Sequence, residues 1–96
     1  MNAARGECEA VLAGDRVRLC LTLGALAEIE AALGAEGFAD LAKRMRRLSA
    51  RELAAVLAAL LRGGGADDVT ARRLASEAEP KTAAEAVARA FEAAAG

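Results

Sequence analysis

Few side chains in this sequence are equipped for chemistry. The nucleophiles are Cys8 and Cys20, the clustered acids are Asp67–Asp68 and Glu77–Glu79, and the basic run is "KRMRR", Lys43 to Arg47. Histidine, tyrosine and tryptophan are absent from the 96 residues. That removes imidazole as general base, metal ligand and member of a catalytic triad. Cys8 falls on the apolar side of a strand. Cys20 lies on a strand beside Glu9, an anion, which does not favour a nucleophilic thiolate. Asp67 and Asp68 sit where acids favour the start of a helix, which explains them without chemistry. The glycines before "ADD" end a helix, and no lysine follows to hold a phosphate. The expectation is that the chain is not an enzyme and carries no cofactor and no metal.

The basic run belongs to the solvated back of a helix. Met45 shares a side with Phe38 and Leu41, whereas Lys43, Arg44 and Arg47 lie opposite, with Asp40 one turn before Arg44. The net charge is −1, the pI about 5.5, and there are no stacking aromatics in the run. No nucleic-acid partner is expected. The opening "MNAARGECEAVLAG" lacks the apolar segment of a secretion signal, and no apolar run reaches membrane-spanning length. A membrane partner is likewise not expected, and two cysteines on opposite strand faces read as reduced thiols of the cytoplasm.

The elements behind these residues emerge from "RVRLCLTLGALAEIEAALG", Arg16 to Gly34, whose rhythm changes midway. Val17, Leu19, Leu21 and Leu23 alternate as in a strand, whereas Leu26, Ile29 and Leu33 recur as in a helix. Upstream, "GECEAVLAGDRVRLCLTL" has two runs about Gly14-Asp15, a dipeptide suited to a two-residue hairpin turn. A turn there sets Leu12 opposite Val17, Ala10 opposite Leu19 and Cys8 opposite Leu21, all on one face. The helix Gly24–Leu33 should then return Leu26, Ile29 and Leu33 over Leu19 and Leu21. Thr22 or Gly24 is its cap and Gly34 its stop.

A second helix after Gly37 has Phe38, Leu41, Ala42, Met45 and Leu48 on one stripe. "SARE" at Ser49 is a capping box opening a third, which carries Leu53, Val56, Leu57, Leu60 and Leu61 with alanines around them. "RGGG", Arg62 to Gly65, reads as a flexible joint. A weaker helix follows from about Asp67 to Ala78. Pro80 interrupts the chain, and Thr82 with Glu85 reads as a capping box for a last helix anchored by Val87 and Phe91. The fold class is α+β: an N-terminal β-hairpin, then an alanine-rich bundle of four to five helices. One domain over 1–96 is expected. It divides into a hairpin with first helix (5–34), central helices (35–65) and C-terminal helices (66–96).

Apolar residues make up 55% of the chain, but 28 of them are alanine and only two are aromatic. Such a chain is marginal alone, so a partner or a homo-oligomer would add to its core. The third helix is apolar nearly all round, which calls for enclosure on most sides. The C-terminal helix either docks on the core or moves about Gly63–Gly65, exposing a groove for another protein's helix. The expected partner-binding residues are Leu53, Val56, Leu57, Leu60, Leu61, Val87 and Phe91.

The chain resembles the small tail-assembly proteins of gene transfer agents and related tailed phages. The matching stretches are Arg5–Glu7, the hairpin pattern from Leu12 to Leu19, "LTLGALAEIE" and "LSARELAAVLAALLRGGG", roughly residues 5 to 65. The resemblance implies a non-catalytic tail assembly chaperone in the cytoplasm of a bacterial host. Its expected partners are the long helical tape-measure protein and tail-tube subunits. The alternative it leaves open is a structural tail or tail-tube component of a gene transfer agent or prophage particle.

Overall fold

The structure, a computed structural model, describes residues 7–95. Arg5 and Gly6 of the Arg5–Glu7 motif therefore lie outside the described residues. Strands β1 (Glu7–Leu12) and β2 (Asp15–Cys20) form an antiparallel hairpin. Helices α1 (Leu23–Leu33), α2 (Gly37–Met45), α3 (Ala50–Gly63), α4 (Asp68–Glu77) and α5 (Pro80–Ala95) follow. The fold is α+β, a hairpin ahead of five helices.

The hairpin turns one residue earlier than its sequence suggests. Ala13 (φ 50°) and Gly14 (φ 85°) both occupy the left-handed region, and Leu12 pairs with Asp15, Ala10 with Val17 and Cys8 with Leu19. A two-residue turn with both central φ positive takes glycine best at its second position, which makes Ala13-Gly14, not Gly14-Asp15, the turn. The register moves by two, so the faces are unchanged. Ala10, Leu12 and Leu19 remain buried, and Val11 points outward.

The strand also stops sooner than the alternation implied. Thr22 accepts the Ala25 N–H at 3.0 Å through its hydroxyl and starts α1. Leu23 thereby becomes the first helical residue, 82% exposed. Gly34 closes α1 at φ 65°, donating its N–H to the Ala31 carbonyl.

The centre of the molecule is α3. Ser49 Oγ accepts the Glu52 N–H at 3.1 Å, and Glu52 accepts the Ser49 N–H at 2.8 Å, so the capping box forms. α1, α4, α5 and β2 all pack on α3. The hairpin's apolar face is covered by α3 and α5, while α1 packs mainly on α3 and not on the strands. The reason is supply of surface: α3 is apolar around most of its girth and offers each neighbour more to bury against. Val56, Leu57, Leu60 and Leu61 are sealed at 0–1% exposure, each contributing about 1.5–3 kcal/mol by burial.

Gly63 and Gly64 serve contact, not freedom. A Cβ on Gly63 would collide with the Cys20 carbonyl oxygen, and one on Gly64 with that of Arg18. The end of α3 thus lies directly on the β2 backbone. Beyond it, Asp67 caps α4 by accepting the Thr70 N–H at 2.7 Å. α5 begins at Pro80, two residues before Thr82, so the Thr82–Glu85 capping box is not made. Proline at a first helical position has its φ already set and no N–H to satisfy, and the Ala83 N–H donates to the Glu79 carbonyl at 2.8 Å. α5 is docked through Ala83, Ala86, Val87 and Ala90.

Candidate functional site

The expected partner surface divides in two once the helices pack. Val56, Leu57, Leu60 and Leu61 lie in the core, so these four expected contacts offer nothing to a partner of this monomer. An alanine-rich helix with few other large residues in the chain becomes the core itself. Leu53 and Phe91, both half-buried, line an apolar groove of about 700 Å³, with Val87, a buried core residue, behind them.

Three elements build that groove. α2 supplies Phe38, Leu41, Ala42 and Met45 at helical spacing, with Arg46 at its end. Leu48, in the turn after α2, and Leu53, on the first turns of α3, form the floor. α5 supplies Ala84, Val87, Ala88 and Phe91, again a stripe at three and four. Leu41 is the only buried residue of α2, and Phe38 stands 74% exposed. α2 packs lightly, against α1 alone among its helix neighbours of any extent. A nine-residue helix with so little buried owes its position to few contacts.

A second, shallower cleft of about 320 Å³ lies where α1, α3 and α4 meet. Ala54, Ala55 and Ala58 floor it, and an ion-pair cluster closes its end. Arg62 reaches Glu28 and, at 3.0 Å, Asp68, and Asp68 also pairs with Arg72 at 2.7 Å. These charges are consumed by one another.

The groups that could do chemistry are scattered. Cys8 and Cys20 are free thiols on opposite faces of the hairpin. Burial pushes the Cys8 thiol above its ordinary value, with Arg89 opposing. Asp67 is held below the ordinary carboxylate value by the Thr70 N–H it accepts. Among the described residues, no polar or charged side chain is buried and no three His, Cys, Asp or Glu are grouped to hold a metal. No described helix is long and apolar enough to cross a membrane.

Spacing in the sequence puts Phe38, Met45 and Leu48 on one apolar stripe but gives Ala84 and Ala88 nothing to distinguish them from the other alanines. The available signal was the shortage of large side chains: two apolar stripes, each with one aromatic, have no third surface to cover both.

No curated protein and no solved structure matches the chain. A family model described as "Phage tail tube protein, GTA-gp10" matches residues 5–95. The match continues past the stretches that carried the resemblance and takes in α4 and α5, hence one wall of the groove. This chain belongs to the phage tail tube protein, GTA-gp10 family, and is a tail-related structural or assembly protein of the gene transfer agent and phage kind.

Proposed function

We propose that the protein works by binding, without catalysing a reaction, as a tail assembly chaperone in the cytoplasm of a bacterial host. In this reading the groove between α2 and α5 shelters an apolar helix of the tape-measure protein and presents it for tail-tube assembly. The observation that carries the reading is the groove itself: about 700 Å³, lined by two apolar helix stripes, with Phe38 74% exposed at its edge. Helix-in-groove recognition uses anchors at i, i+3/i+4 and i+7, and Ala84, Val87, Ala88 and Phe91 leave a channel of that period. A chain without histidine, and a groove whose described lining is apolar apart from Arg46, favour binding over catalysis.

Co-expression with the tape-measure protein tests it. Ala88→Glu places a charge on an exposed wall residue and should abolish co-purification while circular dichroism stays unchanged. Undiminished capture by the folded variant defeats the groove as the binding surface.

The family description favours a second reading, a structural subunit of the tail tube. Mass spectrometry of purified particles separates the two: a tube subunit is present in stoichiometric amount, and a chaperone is missing or in trace.

A further inference from the structure

We infer that the groove selects an amphipathic helix whose flank toward α2 is acidic. The inference rests on the reading that the groove receives a partner's helix, and adds the chemistry of that helix. Between Gly37 and Arg51 the chain carries five cations and one anion, in a protein whose net charge is −1. Arg46 is the one charged side chain among the described residues that line the groove, whereas Lys43, three residues before it, lies on the side of α2 away from the apolar stripe. Among the described residues, neither makes an ion pair, nor do Arg44, Arg47 and Arg51. Asp40, the one acid on α2, has its carboxylate engaged by the Glu36 N–H at 3.0 Å.

Elsewhere four arginines are paired, while Arg16 and Arg89 make no ion pair among the described residues. Arg18, Arg62, Arg72 and Arg73 each meet a carboxylate. Among the described residues, five of the eight cations without an ion pair thus fall between Lys43 and Arg51, and of these Arg46 lines the groove. On the opposite wall α5 carries Lys81 and Arg89 against Glu85 and Glu92, which cancel and set no preference. A helix that fills the groove while laying a glutamate or aspartate beside Arg46 meets the one charge in its described lining. Such rim pairs add little affinity each but decide orientation and reject wrong partners. The groove wall from Ala84 to Phe91 is about 10 Å long, which matches about two turns of helix.

Two synthetic peptides test the inference with the full chain. Both are three helical turns with one leucine face at i, i+3, i+4 and i+7; one carries glutamates on a flank and the other lysines. Fluorescence anisotropy should show the glutamate peptide binding about tenfold tighter, with the gap closing at high ionic strength. Arg46→Glu should reverse the order, since the side chain is exposed and the fold does not depend on it. Equal affinity for both peptides overturns the charge selectivity and leaves the chaperone reading standing. Peptide selectivity without capture of the co-expressed tape-measure protein does the opposite. Binding of neither peptide overturns the inference. So does sedimentation showing that a second copy fills the groove, or displacement of the glutamate peptide by duplex DNA.

Discussion

Phe38 on α2 and Phe91 on α5, the chain's only aromatic residues, line the same groove from two helices. Aromatic side chains are the largest apolar surfaces a protein has, and this one leaves both of them outside the sealed core. Phe38 is 74% exposed, so its removal costs the fold almost nothing. Phe38→Ala should leave the urea midpoint within error of the parent and still weaken capture of the partner in a pull-down. A variant that unfolds early instead makes Phe38 a structural residue.

Gly63 carries the opposite expectation from helix propensity. Alanine normally improves a helical glycine by about 0.5–1 kcal/mol. Here the added Cβ meets the Cys20 carbonyl oxygen, and the backbone of β2 must move. Gly63→Ala should therefore lower stability in urea titration. A stabilised variant means the α3–β2 contact is looser than described.

The two populations of leucine on α3 should separate in denaturation. Leu57, fully buried, should cost about 2–5 kcal/mol when cut to alanine. Leu53, half-buried on the groove floor, should cost about 1 kcal/mol on the same change and affect partner capture more. Equal losses would place Leu53 in the core.

Asp67 makes stability depend on pH with a definite sign. Its folded pKa lies below the ordinary value because the Thr70 N–H donates to the carboxylate. That contribution is complete above the ordinary aspartate pKa of about 3.9 and is lost as pH falls toward the folded value. Asp67→Asn keeps a capping oxygen that does not titrate. Between neutral pH and about pH 3 the parent's urea midpoint should fall further than that of Asp67→Asn. Parallel declines would show that the cap contributes nothing through its charge.

Cys8 should alkylate slowly. Burial raises its pKa, which keeps the thiol protonated near neutrality and lowers its nucleophilicity. Mass-resolved labelling of the folded protein at neutral pH should modify Cys8 more slowly than the same residue in urea. Equal rates in both states would remove burial as the cause.

Sequence alone determined the elements and their faces, because these depend on neighbours. The period-two run through Val17 and Leu19, the Thr22 cap, the Ser49–Glu52 box and the Gly34 stop act over a few residues and read directly. The hairpin faces survived an error of two in register because strand faces repeat every two residues. The start of α5 at Pro80, by contrast, is ambiguous in sequence because proline and the Thr82–Glu85 pair are competing start signals within one turn.

Only the tertiary structure decided which apolar stripes meet. Val56, Leu57, Leu60 and Leu61 have the same chemistry as Leu53 and the α5 stripe, so no spacing rule distinguishes core from groove. Four elements converge on the middle of α3 and bury it, whereas α2 remains beside its start, lightly held. The glycines of "RGGG" likewise read as a joint until the β2 carbonyls came up against them. Burial is a property of what arrives from far along the chain, and local sequence carries no record of it.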